Sequence, residues 1–243
     1  MAKQQIIFRD LGLTEYQAAW DLQEELLQQI VRRKSLIRSA DPTIGEAGFT
    51  TDHYLLFTEH PPVYTLGKSG NIENVLLPED ELKKKGIDFF HTNRGGDITF
   101  HGPGQVVCYP IPDLERFYTD IGKYLRNIEE VIIRTMAAYD IRGDRSPGET
   151  GVWIDPGVAG KERKICAIGV RCSRWVTMHG FAFNVNTDLS YFNYIIPCGI
   201  NNKQVTSLEK ELGRTIGMTE VKEKLKDNFE SVFDAELVSE VLL

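Results

Sequence analysis

The arrangement of apolar residues constrains the fold of this chain most. Two stretches with apolar residues at helical spacing are separated by groups of short strand-like segments. Apolar residues recur at helical spacing from Tyr16 onward and again from Ile121 onward. Strand-like segments lie at residues 5–9, 53–59, 151–154, 164–170 and 175–185. Grouped strands with helices at the ends and in the middle are typical of an α+β fold, so we expect a mixed β-sheet core with flanking helices. We expect residues 1–243 to form one domain, with residues from about 206 to 243 as a small helical extension.

Turn and capping residues divide the rest of the chain. DPGVAGKER, between two of the strand-like segments, is typical of a hairpin connection. Residues 32–50 are expected to form an exposed loop after the first helix, because they contain one Pro and two Gly residues. Thr206 and Glu209 form a capping-box pattern that predicts a short helix ending at Gly213.

Composition excludes several classes of protein. The chain is 42% hydrophobic and 26% charged, as in a globular domain, and its formal net charge of -7 disfavours nucleic acid as a partner. No apolar run approaches the ~18 residues of a membrane span, and MAKQQIIFRD lacks the h-region of a secretory signal. Four cysteines without a C-x-x-C pair argue against a disulfide framework, so we expect a cytoplasmic protein that binds no membrane. A zinc site from His91, His101 and Cys108 is disfavoured by irregular spacing and the lack of a fourth ligand.

The most unusual stretch is RGGDITFHGPGQVVCYP, at residues 94–110, which contains four glycines, an arginine and a histidine. Paired glycines let the backbone approach a ligand closely, and backbone N–H groups exposed in this way bind a carbonyl, carboxylate or phosphate. A tight hairpin loop explains the same composition, and the residues alone leave both interpretations open. The spacing matches neither G-x-G-x-x-G nor a P-loop, so dinucleotide and Walker-type phosphate binding are not indicated.

Cys198 is the candidate nucleophile among the cysteines. It follows a proline and precedes a glycine in NYIIPCGI, a setting that leaves a thiol uncrowded. Cys108 and Cys166 lie among apolar strand residues and fit a buried role, and Cys172 lies in a turn-like segment. A thiol with an ordinary pKa of about 8.5 is mostly protonated at neutral pH, so attack by Cys198 requires a neighbour that favours the thiolate.

Two side chains are candidates for that neighbour. Lys164 begins a predicted strand and would supply a cation, although a lysine in the run KERK is more simply a solvated residue. His179, with Asp188 as an orienting carboxylate, would complete a Cys-His-Asp arrangement, although a strand histidine facing a neighbour is the simpler interpretation. The residues alone leave these alternatives open.

Four segments occur in an order that identifies a family. They are TEHPPVYTLGK, then RGGDITFHGPGQVVCYP, then GVWI with KICAIGVRCSRWVTMHGFAFNVN, and last IIPCGI with VTSL. They span most of the chain from about residue 10 to 210 and resemble the lipoyl(octanoyl) transferases, the octanoyl-[acyl-carrier-protein]-protein N-octanoyltransferases. The resemblance implies a fold like the catalytic domain of biotin and lipoate protein ligases. The chain departs from the family pattern mainly by extra residues at 33–48, a difference that affects only loop-level contacts.

The resemblance also implies roles for individual residues. Cys198 corresponds to the nucleophile that carries the acyl group, and Lys164 to the lysine that lowers the pKa of that thiol and shuttles protons. His179 becomes a neighbour of the pocket. The positions that correspond to the acyl-binding walls are Arg94, Gly95, Gly96, Asp97, Ile98, Thr99, Phe100, His101, Ala167, Ile168, Gly169, Gly180, Phe181 and Ala182. Small residues among them are expected to leave a channel between strands, lined by Phe100, Ile168 and Phe181.

The implied reaction has two acyl-transfer steps. Cys198 takes an octanoyl group from octanoyl-acyl carrier protein as a thioester, and a lysine ε-amine on a lipoyl domain then takes it as an amide, the first step of endogenous protein lipoylation. The implied acceptors are the lipoyl domains of 2-oxoacid dehydrogenase complexes and the glycine cleavage H protein. Because a thioester is already activated, we expect no ATP, metal or other cofactor.

Both partners are acidic in this family's setting, which predicts a basic docking surface. The cations expected near it are Arg142, Arg145, Lys161, Arg163, Arg171 and Arg174. Three rival functions stay open. An ATP-dependent ligase on the same fold would not need Cys198, a Cys-His-Asp hydrolase would need His179, and a carrier-binding module would never form an acyl adduct.

Overall fold

The computed structural model describes residues 3–39, 51–196 and 204–239. Its largest sheet has eight strands, which are β1 (Gln4–Leu13), β2 (Tyr54–Glu59), β6 (Gln105–Ile111), β7 (Val152–Ile154), β8 (Arg163–Ser173), β9 (Val176–Asn184), β10 (Gln204–Val205) and β11 (Ala235–Ser239). The strand order is β10-β8-β9-β6-β2-β1-β11, and β7 pairs with β8. Parallel pairs, such as β1 with β11, and antiparallel pairs, such as β6 with β9, both occur, so the predicted mixed sheet is confirmed.

Besides the main sheet, the described part of the chain contains a smaller sheet, five α-helices and three short 3-10 helices. The small sheet has the order β4-β3-β5 and consists of β3 (Val63–Leu66), β4 (Asp88–His91) and β5 (Ile98–His101). The helices are α1 (Tyr16–Ser39), α2 (Glu79–Lys84), α3 (Ile121–Ala137), α4 (Leu208–Leu212) and α5 (Met218–Phe233). Within the described ranges, no helix has both the length and the apolar character of a membrane span.

The central strands β2, β6 and β9 of the main sheet are buried on both faces. In β6, Val106 and Cys108 belong to the core shared with α3 and α5, whereas Val107 and Tyr109 belong to the core shared with α1. Successive side chains of a strand point to opposite faces, so a strand covered on both sides reads as a continuous apolar run. The strand β11 pairs with the first strand in parallel, which joins the end of the described chain to its beginning.

The predicted hairpin around DPGVAGKER is confirmed by the antiparallel pairing of β7 with β8. A hairpin interpretation of residues 94–110 is wrong, because β5 pairs with β3 in the small sheet whereas β6 pairs with β2 and β9 in the large one. The turn at Gly102–Gly104 therefore carries the chain from one sheet to the other. The glycine-rich stretch thus lies where the two sheets meet.

The predicted loop at residues 32–50 is wrong for its first part, because α1 continues to Ser39; residues 40–50 lie outside the described ranges. The ammonium of Lys34, on the last turns of α1, is buried and donates to Asp113 and to the Arg174 carbonyl, at 2.5 and 2.8 Å. Lysine and arginine are good helix formers. The proline and the two glycines that suggested a loop all lie after Ser39, where α1 ends.

The short helix α4 ends as predicted, with Gly213 in the left-handed region at φ 66°. Its predicted cap is displaced by one residue. The Ser207 hydroxyl accepts from the Lys210 N–H at 3.2 Å, whereas Thr206 donates its hydroxyl to Glu211 at 2.5 Å. Both serine and threonine are favoured at helix N-caps, serine somewhat more, and here the second of the two residues is the cap.

Candidate active site

A cavity of about 450 Å³ lies between the main sheet and the glycine-rich stretch. Its wall includes Lys164 together with thirteen of the fourteen positions predicted to bind an acyl chain. Those thirteen are Arg94, Gly95, Gly96, Asp97, Ile98, Thr99, His101, Ala167, Ile168, Gly169, Gly180, Phe181 and Ala182. Three separate parts of the sequence therefore meet around one cavity.

Phe100 is the exception among the predicted positions. Its ring stacks on Tyr191 at 4.5 Å between centroids, in the core of the small sheet. His101 follows it in β5 and lines the cavity, because adjacent residues of a strand point to opposite faces. Phe100 therefore supports the cavity wall from behind, and the expectation that it lines a channel is corrected.

The candidate nucleophile Cys198 lies outside the described residues, in the gap between 196 and 204. Residues on both sides of this gap line the cavity, namely Phe192 before it and Val205 after it. Val205 also pairs with Lys164 through the parallel strands β10 and β8.

Lys164 lies near the start of β8, where two neighbours confine its side chain. Its ammonium lies 4.5 Å from the centroid of the buried Trp153 ring. Gly151 lies against its aliphatic stem, since a Cβ built on that glycine would lie 3.4 Å from the lysine Cε. Gly151 has a φ of 126°, and the added Cβ would also lie 2.6 Å from the Cys166 carbonyl oxygen. Glycine is therefore required beside the lysine.

Arg94 organises the glycine-rich stretch from inside. Its buried guanidinium donates to the carbonyl oxygens of Thr65, Gly95 and Asp97 at 2.6, 3.0 and 2.8 Å. Its fixed fork of donors holds the loop before β5 against the end of β3. The resemblance implied that Arg94 is part of the acyl-binding wall, and the contacts indicate that it also shapes that wall.

The predicted channel between small residues has a different physical basis. A Cβ on Gly169 would lie 2.8 Å from the Gly95 carbonyl oxygen, and one on Gly180 would lie 2.1 Å from the Cys108 carbonyl oxygen. The space at both glycines is therefore occupied by protein backbone. These glycines allow β8 and β9 to pack closely against their neighbours, and the cavity opens beside them.

A series of buried hydrogen bonds begins at Arg94 and continues through neutral side chains, several of which line the cavity. Thr65 Oγ1 accepts from Arg94 at 2.9 Å and lies 3.3 Å from His101 Nε2. Burial holds the pKa of His101 well below its usual range, so the ring is neutral. His101 Nδ1 lies 2.9 Å from Gln105 Oε1 and is therefore the protonated nitrogen.

The chain of hydrogen bonds continues from Gln105 to the strand that bears the lysine. Gln105 donates to Asn184 Oδ1 at 2.8 Å, and Asn184 donates to the Thr206 carbonyl at 3.0 Å. The Thr206 N–H donates to the Lys164 carbonyl at 2.9 Å. The glycine-rich stretch and the lysine strand are thus connected through a series of buried hydrogen bonds, which favour one arrangement of the wall.

The alternative pairing of His179 with Asp188 is not formed. His179 Nε2 lies 2.7 Å from Asn93 Oδ1, and Asp188 accepts from the Ser190 N–H at 2.9 Å. Burial, followed by the charges of Arg94 and Arg171, lowers the pKa of His179 to about 3. A base this weak is a poor proton acceptor at neutral pH, so His179 is a neutral residue of the cavity wall.

The other cysteines and histidines have structural surroundings. Burial raises the pKa of the Cys108 and Cys166 thiols well above the usual range, whereas Cys172 is exposed. His91 packs on Phe89, with ring centroids 5.1 Å apart. In the part of the chain that the structure describes, no three His, Cys, Asp or Glu side chains are grouped as metal ligands.

Several residues of the cavity wall were not predicted from the sequence. Tyr16, Gln105, Tyr109 and Asn184 all line the cavity. Tyr16 begins the stripe of α1, and its apolar spacing indicated only a buried helix face. Gln105 and Tyr109 lie in β6, and Asn184 is the last residue of β9. Their place on the cavity wall follows only from the pairing of these strands in the sheet.

The six predicted docking cations do not form one patch. Three of them are paired with carboxylates: Arg145 with Glu129, Arg163 with Glu211 and Arg171 with Glu24. Lys161 and Arg174 lie at opposite ends of β8, whose eleven residues span roughly 35 Å. Lys161 is exposed and lies at the end next to Lys164.

Sequence comparison identifies the family of this chain. Residues 15–230 match the lipoyl protein ligase A/B catalytic domain. An octanoyltransferase of Christiangramia forsetii is 56% identical over 94% of this chain and 96% of its own length. One of Flavobacterium psychrophilum is 55% identical over 96% of this chain and 98% of its own length. The chain belongs to the octanoyltransferase family. As a member of that family it is an acyltransferase enzyme.

Solved structures confirm the predicted fold of this octanoyltransferase-family chain. A bi-partite lipoate protein ligase from Thermoplasma acidophilum superposes with a TM-score of 0.66 at 16% identity, covering 100% of this chain and 88% of that one. A biotin protein ligase from Aquifex aeolicus gives a TM-score of 0.51 at 11% identity, covering 94% of this chain and 70% of that one. At these identities the similarity establishes the fold alone.

Proposed function

We propose that this acyltransferase moves an octanoyl group from octanoyl-acyl carrier protein to a lysine ε-amine on lipoyl domains, through a thioester on Cys198. The observation that carries the proposal is the single cavity that joins Lys164 to the predicted acyl-binding wall. Family membership supports the octanoyl group. The proposed acceptors are the lipoyl domains of 2-oxoacid dehydrogenase complexes and the glycine cleavage H protein, and the proposed location is the cytoplasm.

The proposed mechanism uses one proton carrier for two steps. The Cys198 thiolate forms a bond to the donor carbonyl carbon, the donor C–S bond breaks, and the leaving thiolate takes a proton from the Lys164 ammonium. The acceptor amine then forms a bond to the same carbon, its proton passes to neutral Lys164, and Cys198 leaves as a thiolate. The ammonium and thiolate are thereby restored.

The cavity fits the apolar part of the donor. The seven carbons beyond the carbonyl contribute about 6 kcal/mol of binding when buried at about 0.8 kcal/mol each. Ala167, Ile168, Phe181 and Ala182 offer the apolar surface for this contact. Backbone N–H groups of the glycine-rich stretch are candidates to hold the developing oxyanion.

We also propose that the chain acts as one catalytic domain. Residues after 206 contribute α5, whose buried Phe229 and Phe233 belong to the same core cluster as β6 and α3. A strand that pairs with β1 follows this helix. These contacts support a C-terminal segment that is part of the domain core.

Incubation of the enzyme with octanoyl-acyl carrier protein should add one octanoyl group to its intact mass, and Cys198→Ala should abolish the gain. The reason is that acylation requires a nucleophile that becomes the thioester sulfur. Cys172→Ala is the matched control, since it removes an exposed thiol outside the cavity lining. An adduct that survives in Cys198→Ala contradicts the proposal.

The same assay separates the rival functions. The fold of this chain is also that of a lipoate-protein ligase A, so an ATP-dependent ligase is a rival to test. Such a ligase would keep transferring octanoate in Cys198→Ala when ATP is supplied. A hydrolase would release octanoate without forming the amide on the lipoyl domain. A binding module would show no mass gain at all.

Raising the ionic strength should raise the KM for the carrier-protein donor but not the KM for a small octanoyl thioester.

Lys161 is exposed beside the end of β8 that carries Lys164, so we expect Lys161→Glu to raise the KM for the carrier protein severalfold. Arg174→Glu, at the far end of the strand, is the matched control. Equal effects of the two reversals on KM would show that docking does not use the Lys161 end.

A further inference from the structure

The aromatic ring beneath Lys164 is part of the machinery that sets its behaviour. The lysine ammonium lies 4.5 Å from the Trp153 centroid, inside the roughly 6 Å range in which a ring face attracts a cation. Trp153 is 2% exposed and Lys164 is half-buried, so the contact is less screened than one between two exposed side chains. Trp153 and Lys164 are direct partners in the β7–β8 register.

The backbone that carries the Trp153 indole is held by hydrogen bonds and by core packing on either side. The backbone N–H of Trp153 donates to the Asp144 carbonyl at 2.9 Å, and the backbone N–H of Asp144 donates to the Trp153 carbonyl at 2.8 Å. Val152 and Ile154 on either side belong to the main core. The lysine stem thus lies between a fixed ring and the backbone of Gly151, which leaves the ammonium little freedom to turn away.

Other charged or titratable groups around the lysine lie on neighbouring elements and on β8 itself. Glu149 lines the same cavity. Glu129, on α3, is buried and accepts from the Gly151 N–H at 3.1 Å while pairing with Arg126 and Arg145. Cys166, two residues along β8, is buried, and the lysine charge acts on its thiol. Trp153 differs from these groups because it stabilises the ammonium without itself changing charge.

We propose that Trp153 is a positioning residue for the reaction, holding the Lys164 ammonium over its ring so that the lysine can give up and regain one proton. The proposal rests on the proton-carrier role of Lys164 given above. A carboxylate in the same place would accept a full hydrogen bond and hold the proton tightly. A ring face stabilises the ammonium more weakly, by an attraction that vanishes when the proton leaves.

The test is the pH dependence of Cys198 acylation in Trp153→Leu and Trp153→Phe. Loss of the ring should move the basic limb of the profile to lower pH by about 0.5 to 1 unit, because the ammonium needed by the leaving thiolate is less stabilised. Trp153→Phe should recover part of this shift, since phenylalanine retains a weaker ring face. Ile154→Ala removes a comparable core side chain from the same strand and should leave the limb in place.

Fluorinated tryptophan gives a second readout that keeps the side-chain volume. Fluorine withdraws electrons from the ring face, so mono-, di- and trifluorotryptophan should shift the basic limb progressively. The chain also contains Trp20 and Trp175, and labelled Trp153→Phe therefore serves as the control with fluorine at those two positions only. A limb that stays fixed through this series overturns the proposal, even if the Leu variant fails to fold.

Failure of this inference and failure of the proposed function give different results. If the mechanism is wrong, the wild-type enzyme forms no Cys198 adduct or Lys164→Met stays active. If only the role of Trp153 is wrong, the wild-type enzyme acylates normally, Lys164→Met is inactive, and Trp153→Leu keeps the wild-type profile at a uniformly lower rate.

Discussion

Replacing Lys164 with methionine should reduce octanoyl transfer to a lipoyl domain by about three orders of magnitude, the middle of the range for loss of a general acid–base group. Methionine keeps the length and apolar stem of lysine, so the contacts with Trp153 and Gly151 are largely retained. What disappears is the proton for the leaving thiolate and the acceptor for the proton of the attacking amine. Initial transfer rates at saturating donor and acceptor measure the effect.

Two further variants separate charge from proton transfer. Lys164→Arg keeps a cation that does not deprotonate in proteins, so Cys198 should stay reactive toward iodoacetamide while transfer stays low. Lys84→Met removes an exposed lysine of α2 that pairs with a surface glutamate, and it should leave the rate unchanged. Transfer by Lys164→Met within about fivefold of the wild-type rate would remove the lysine from the mechanism.

The sequence was most informative where one pattern had one structural solution. The stripe beginning at Ile121 gave α3, and the hairpin turn fixed the pairing of β7 with β8. The site residues came from the family resemblance rather than from periodicity. No local property of Lys164 distinguishes it from its charged neighbours in KERK, and only the fold shows that it alone of that run lines the cavity.

Local patterns failed where tertiary contacts decide the outcome. Small residues at Gly169 and Gly180 suggested empty space, but backbone carbonyl oxygens from other segments fill it. Phe100 looked like an apolar lining residue, but its strand directs it into the other core. In each case the neighbour that fills the space is distant in sequence. Residue type alone therefore could not show whether the glycine or the phenylalanine faces the cavity.

The extra length of α1 has the same explanation. Lys34 has the sequence character of a surface residue, yet Asp113 and the Arg174 carbonyl receive its ammonium in the interior. Burial of a charge is tolerated only when partners are in place. Those partners come from the segment before α3 and from the β8–β9 turn, which sequence proximity does not bring together.

The unfolding free energy should fall steeply as the pH is lowered from about 6.5 towards 4, before most carboxylates are protonated. Burial lowers the pKa of His53 to about 4, that of His60 to about 4 and that of His179 to about 3. These folded-state values lie below the unfolded value of about 6.5, so the unfolded chain binds more protons in this window and gains stability as the pH falls. Each histidine contributes about 2 kcal/mol of destabilisation at pH 5. Three such groups together would remove about 6 kcal/mol, a large share of the 5–15 kcal/mol typical of a domain.

Urea unfolding at pH 7.5, 6 and 5 measures this slope. His53→Asn offers an oxygen near the position of Nδ1, which accepts from the Asp113 N–H at 3.1 Å, but cannot be protonated in this range. It should be less stable than the wild-type protein at pH 7.5, because the smaller side chain leaves space, yet lose about 2 kcal/mol less on going to pH 5. His91→Asn, at an exposed position, should follow the wild-type slope. If His53→Asn and His91→Asn lose stability equally, proton uptake by buried histidines is not what limits the protein in acid.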